Sequence, residues 1–347
     1  MKEVKKEDEI KWPLYTGTGK PRKNGNVPQK FPPPPPWRDF QNKVKRGETY
    51  KADEAEINIV NAALYLRRPI LITGNPGTGK SSLAYSVANE LGLGAVLRWN
   101  ITSRTTLKDG LYSYDASSRF QATDFNDKTT NKEVNIGDYI RLGPLGTAFC
   151  RTATGNPRVL LIDEIDKSDI DLPNDLLHIF EEGEFLIPEL FRLRDETLEV
   201  NIFSADIDNI DNIDNKVPVT KGTISCDQFP FVILTSNGER EFPPAFLRRC
   251  LRLNLSLPPR EKLVQIVSAH LSEFSIHPEQ EPVKQIIDEF ESRRKHGLLA
   301  TDQLLNAVFL VSQVQDIRNN EKLKKQMVDV VLELLSNSDL SNIESEE

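Results

Sequence analysis

The stretch Gly74-Asn75-Pro76-Gly77-Thr78-Gly79-Lys80-Ser81 satisfies G-x-x-x-x-G-K-[ST] at every position. It follows the apolar run Pro69-Ile70-Leu71-Ile72-Thr73. A helical pattern comes after it, marked by Leu83, Val87, Ala88 and Leu91 and stopped at Gly92. A buried strand, a glycine turn and a helix in this order form one supersecondary unit. Glycines accept positive φ, so bare N–H groups can face an anion, and the helix N-terminus adds partial positive charge. The segment from Gly74 to Ser82 is therefore the candidate phosphate-binding element. Within it Lys80 is placed to reach β- and γ-phosphates and the Ser81 hydroxyl to meet magnesium.

Further apolar strands are expected at Ala95–Trp99, Val159–Ile162 and Phe231–Thr235, with helices between them. That alternation predicts a parallel sheet covered on both faces. Val159-Leu160-Leu161-Ile162-Asp163-Glu164 sets two acids at the C-terminal edge of a buried strand, where open parallel sheets bind ligands. Asp163 is the candidate magnesium ligand, and Glu164 the candidate general base for an attacking water. Asn237 ends the run Phe231–Ser236 and could orient the same water, although asparagine before Gly238 equally has the composition of a turn. In Phe242-Pro243-Pro244-Ala245-Phe246-Leu247-Arg248-Arg249-Cys250, paired arginines follow a short apolar helix. They read as a solvated face, a carboxylate clamp or, in a ring, a finger inserted at a neighbour's nucleotide.

The rest of the chain sets the boundaries. Residues 1–50 hold 8 of the 22 prolines and 12 lysines and arginines against 6 acids, so this arm is +6 on a chain of net −8. Pro32 to Pro36, flanked by Phe31 and Trp37, favours a polyproline II rod. It could serve a proline-recognising partner, or act as a strap with Trp37 and Phe40 as anchors. Two stretches interrupt the sheet plan: a polar one at about 115–138 and a hairpin at about 197–225, expected as Leu198–Phe203 paired with Val217–Ile224. The hairpin tip repeats Ile-Asp-Asn from Ile207 to Asn215 without the glycine and closing glutamate of a calcium loop. A core over 51–257 is then followed by a helical domain over 258–336, with three helices after residue 283, and by an acidic tail at 337–347. The acidic balance argues against nucleic acid as main partner. No apolar run reaches the roughly 18 residues of a membrane span, and Met1–Lys11 lacks the apolar core of a signal peptide. Three scattered cysteines fit reduced thiols in a cytoplasmic protein.

The four ordered motifs Gly74–Ser81, Val159–Glu164, Ile233–Asn237 and Phe242–Arg249 resemble those of AAA+ ATPases, and within them the MoxR family. Leu145–Arg151 and Asp163–Pro188 are similar to MoxR sequence as well. The resemblance implies a P-loop α/β core, a sheet sandwiched by helices, with a small all-helical lid. It casts 115–138 as a helix-2 insert and 197–225 as a pre-sensor-1 hairpin. It makes Asn237 sensor 1 and Arg249 the preferred finger, with Arg248 as its partner. It also implies ATP and Mg2+ as cofactors, and a homo-oligomeric ring, most often a hexamer. Such a ring would remodel a protein client or a von Willebrand A domain partner. Slow nucleotide-gated switching and a nucleic-acid motor are the alternative readings. Where many members carry a sensor-2 arginine this chain has Gln303, with Arg293, Arg294 and Lys295 a helix turn or more earlier.

Overall fold

The computed structural model describes residues 12–15, 17, 32–38, 47–126, 135–150, 155–193, 197–203, 216–226, 228–274 and 276–333. Phe31, Phe40, the Ile-Asp-Asn repeat and the acidic tail lie outside them. The described residues fall into two units, one of Ala52–Asn75 with Gly79–Ser256 and one of the remainder.

The larger unit begins with α1 (Glu54–Leu66), β1 (Ile70–Thr73), α2 (Lys80–Glu90), β2 (Leu97–Asn100), α3 (Leu107–Leu111), β3 (Tyr112–Tyr114) and α4 (Ala116–Asn126). Then come β4 (Ile140–Leu142), α5 (Pro144–Phe149), β5 (Val159–Asp163), α6 (Leu172–Glu182), β6 (Glu184–Leu186) and α7 (Pro188–Phe191). It closes with β7 (Thr197–Asn201), β8 (Lys216–Thr220), β9 (Thr223–Ser225), β10 (Phe231–Ser236), α8 (Pro244–Arg249) and β11 (Leu251–Asn254).

Five strands form a parallel sheet in the order β11-β1-β10-β5-β2, flanked by helices. Every residue of β5 and of β10 is buried, as a strand covered on both faces requires. The register sets which side chains meet at the strand ends: β10 pairs Leu234 with Ile162, and β2 pairs Asn100 with Asp163. The edge strand β11 escapes the sequence reading because Leu-Arg-Leu-Asn is short and half polar, with only Leu253 buried.

A second sheet, β3-β4-β7-β8-β9-β6, goes beyond the two expected interruptions. The polar stretch at 115–138 is bracketed by the antiparallel pair β3 and β4 and contains α4, so its described part is not a plain loop. The hairpin at 197–225 forms as β7 on β8. Its second run is broken, however, at Lys221-Gly222, where both φ angles are positive (55° and 69°). Two such residues make a tight hairpin turn, and the chain reverses into β9, which pairs with β6.

The helical unit contains α9 (Arg260–Leu271), α10 (Val283–Arg294), α11 (Thr301–Gln313), α12 (Gln315–Asn319) and α13 (Glu321–Val331). Among the described residues four helices, not three, thus run from residue 283 onward, because Val314 leaves helical geometry (ψ 104°) and separates α12 from α11. Leu263, Phe290, Leu304, Val308 and Ile317 form its core. Trp37 packs on this core: its ring meets Phe309 edge-on at 5.8 Å, and its Nε1–H donates to Asn306 Oδ1 at 2.9 Å.

His270 joins the same cluster, 6.4 Å from the Trp37 ring. Its Nδ1 lies 2.9 Å from the Ile266 carbonyl and its Nε2 3.1 Å from Thr49 Oγ1. A carbonyl only accepts, so Nδ1 carries the proton and Nε2 accepts from Thr49. Burial lowers the His270 pKa below its ordinary value of 6.5, outweighing the Ile266 carbonyl, which raises it. The folded chain then binds fewer protons here than the unfolded one. This stability is complete above 6.5 and is lost as pH falls through the lowered folded value. Melting temperatures taken from about pH 7.5 down to about 5.5 should fall further in the wild type than in His270→Gln. Equal slopes would show that His270 is not the group responsible.

Candidate functional site

The phosphate loop leaves β1 at Gly74, whose φ is 144°. A Cβ there would stand 2.3 Å from the Leu255 carbonyl oxygen, so neither conformation nor space admits another residue. Gly79, also at positive φ (92°), caps the start of α2. Lys80 Nζ donates to the Gly74 carbonyl at 2.6 Å, the Asn75 carbonyl at 3.1 Å and Asn237 Oδ1 at 2.7 Å. The ammonium is thus held against the loop and against the end of β10. Burial lowers the Lys80 pKa, opposed by the carboxylates of Asp166, Asp163, Glu164 and Glu239.

Asp163, last in β5 and buried, is the hub. Its Oδ1 accepts from Ser81 Oγ and from Thr235 Oγ1, each at 2.7 Å. Its Oδ2 accepts from Arg98 Nη2 at 2.6 Å and Nε at 3.1 Å. Burial pushes this carboxyl upward, but Thr235, Ser81 and Arg98 together hold it below the ordinary value of 3.8. The two candidate magnesium ligands therefore touch. Among the described residues no cluster of three His, Cys, Asp or Glu could hold a metal. One hydroxyl beside one carboxylate fits a small hard cation that completes its shell with water and phosphate oxygens.

Glu164 follows in the left-handed region (φ 63°, ψ 50°), one of three described non-glycine residues at positive φ. Its backbone N–H donates to Thr235 Oγ1 at 2.9 Å, so Thr235 bridges the two acids. The Glu164 side chain is 44% exposed and pairs with Lys167 at 3.0 Å. Strained backbone at an exposed carboxylate is a pattern met at reactive positions.

Asn237 stands at this site, whereas Arg248 and Arg249 do not. Arg249 is tied to Glu181 of α6 and donates to the Ala245 carbonyl at 3.3 Å. Arg68 donates to the carbonyls of Arg248 and Arg249. Arg68, Glu181, Arg248 and Arg249 line a cavity of about 290 Å³ together with Phe180 and Phe229. It adjoins Pro69, ahead of β1, while the phosphate loop leaves the other end of that strand. Four residues of strand separate the two, roughly 13 Å.

In the helical unit, Gln303 Oε1 accepts from the Ala300 N–H at 2.9 Å, and its Nε2 donates to the carbonyls of Val331 and Glu333 at 3.3 and 3.1 Å. Arg293 pairs with Glu289 and Asp329, and Lys295 is exposed. Arg294 donates from Nη2 to the Pro258 carbonyl at 3.0 Å, but its buried Nη1 has no partner among the described residues.

Four site residues escaped the sequence reading: Arg98, Thr235, Asp166 and Lys167. Thr235 and Arg98 did leave a trace, each a polar residue in a strand. Asp166 repeats an acid two positions after Glu164.

A family model for the AAA domain (dynein-related subfamily) matches residues 69–250, more than half of the chain. The chain belongs to this AAA family. That assignment agrees with an AAA+ nucleotide-binding core in which the phosphate loop and the paired acids share one end of the parallel sheet. The chain is also 34% identical over 122 residues to midasin of Giardia intestinalis, an overlap covering 33% of this chain and 2% of that protein. It therefore spans only a small part of that relative's length. Among the described residues no helix is long and apolar enough to cross a membrane.

Thr235 supports both acids through one hydroxyl, so Thr235→Val should leave a near-isosteric side chain with two hydrogen bonds lost. We expect a cost of about 1–3 kcal/mol in denaturant unfolding at neutral pH. Because the folded pKa of Asp163 is depressed, its contribution is present above 3.8 and lost as pH falls through the folded value. Losing one donor should shrink that acid-sensitive part, and an unchanged acid limb would count against Thr235 as a main support.

Proposed function

We propose that this chain is a Mg2+-dependent ATPase of MoxR type that works as a ring, most simply a hexamer, and remodels a protein client. The observation that carries the reading is the contact of Ser81 with Asp163, with Lys80 over the loop and Glu164 next in the chain. Ser81 and Asp163 would hold the magnesium ion. Magnesium, when bound, neutralises charge on the phosphate oxygens and orients them. Lys80 and the loop amides bind the phosphates through fixed donors. Glu164 takes the proton of a water that attacks the γ-phosphorus as the bond to the β-phosphate oxygen breaks. Asn237, joined to Lys80, fixes the side of the pocket on which that water stands.

Arg248 and Arg249 lie at the far end of β1, so any part they take in hydrolysis supports a site shared between copies. The MoxR resemblance adds a von Willebrand A domain protein as the partner to seek, in the cytoplasm.

Glu164→Gln should lower ATP turnover by about 100-fold or more while changing nucleotide affinity less than about threefold. Turnover near the wild-type rate would remove Glu164 from the base role. Lys80→Ala and Arg249→Ala should each be inactive alone, and mixing them should restore part of the turnover. If the mixture stays inactive, or neither variant loses activity, the sites are not shared through Arg249.

A further inference from the structure

The carboxylate of Asp166 takes no part in the hydrolytic chemistry, yet only 3% of this residue is exposed. It lies in the 3₁₀ turn Ile165–Lys167, directly after Glu164. One oxygen, Oδ2, accepts from Ser236 Oγ at 2.9 Å and from the backbone N–H groups of Asn237, Gly238 and Glu239 at 2.7, 3.0 and 3.2 Å. The other, Oδ1, is buried with no partner among the described residues. Gly238 takes a positive φ of 84°, which lets its amide converge with those on either side. Three successive amides around one point form an anion-binding nest, and here the anion is a side chain of the same chain.

That nest fixes the residue it begins with. The Asn237 amide is held by Asp166 while its Oδ1 accepts from Lys80 at 2.7 Å. Asp166 therefore links the turn that carries Glu164 to the loop that carries Asn237. The register between the two strands cannot do this alone, because both segments lie beyond the last residues that β5 and β10 pair with each other, Ile162 and Leu234. Charge matters as well as shape. Hydrogen bonds to an ionised acceptor are about twice as strong as neutral ones, and four donors meet on one atom.

We propose that Asp166 is a positioning residue, the internal anion that shapes the Asn237 loop and so sets the Asn237 side chain against Lys80 and the terminal phosphate. The proposal rests on the hydrolytic reading for its kinetic consequence, but not for its structural one.

The test compares Asp166→Asn, Asn237→Ala and the double variant in the full chain. Hydrogen exchange of the 237–239 amides, without nucleotide, should speed up about tenfold or more in Asp166→Asn. ATP turnover should fall about tenfold or more with KM changed less than about threefold, and the double variant should be no slower than Asn237→Ala. Unchanged exchange, or losses that multiply in the double variant, would overturn the proposal. A purely structural role would instead lower melting temperature and nucleotide affinity together. Should Asp166→Asn fail to fold, Ser236→Ala removes one of the four donors. It should give a smaller loss, about two- to fivefold, with the same non-additivity. A wild type that binds nucleotide without turning it over would end the hydrolytic reading, and amide exchange alone would then decide for or against the clamp.

Discussion

A carboxylate buried at the end of a central strand is costly unless its oxygens are satisfied, and Asp163 imposes that constraint on the larger unit. Its donors come from three neighbours: Ser81 from α2, Thr235 from β10 and Arg98 from β2. Each arrives through sheet register or helix placement. Pairing of Leu234 with Ile162 brings Thr235 level with Asp163, and pairing of Asn100 with Asp163 leaves Arg98 two residues back on the same face. The strand order β10-β5-β2 is thus the order that surrounds one acid with a hydroxyl and a guanidinium. Slipping either neighbour by one residue would turn its donor to the opposite face and strand the charge.

Around this hub the two acids divide their surroundings. Asp163 is buried and held in its charged form by three side chains, which suits a fixed ligand. Glu164 is half exposed, sits in a left-handed backbone conformation and has the exposed Lys167 ammonium as its ion partner. A surface ion pair of this kind is weak, so the Glu164 carboxylate is easily released. The Thr235 hydroxyl, donating to one acid and accepting from the amide of the other, keeps the contrast in place.

How far the sequence could be read depends on the range of the interactions. Gly74 to Ser81 and the acids after Val159-Leu160-Leu161-Ile162 are local patterns, in which each residue's role is set by its neighbours in the chain. The parallel sheet was legible for the same reason, since β5 and β10 open on the uninterrupted apolar runs Val159–Ile162 and Phe231–Leu234. Arg98, Thr235 and Asp166 were not legible, because their partners lie 65 to 73 positions away and meet them only once the strands are in register. The second sheet was hidden by its composition. Its strands β3, β6 and β9 are three residues long, too short for alternation to show, and β8 contains Pro218. At Val217–Ile224 an apolar alternation suggested one strand, and the turn at Lys221-Gly222 made two.

The arginines carry the remaining argument. The sequence places Arg248 and Arg249 after the strand that carries Asn237, which invites the thought that all of them meet at one site. The sheet separates them instead. Asn237 leaves the C-terminal end of β10, and the chain then runs back through α8 so that β11 can lie parallel to β1, starting level with Ile70. The turn from α8 into β11 is therefore fixed at the N-terminal end of β1, where Arg68 binds the carbonyls of Arg248 and Arg249 and Leu251 donates to the Pro69 carbonyl. A parallel edge strand has to start from that end. The same topology that gives β11 its place in the sheet keeps both guanidinium groups about a strand length from their own phosphate loop. Within one chain Arg249 is left to Glu181, and a role in phosphate chemistry is open to it only across a boundary with another molecule.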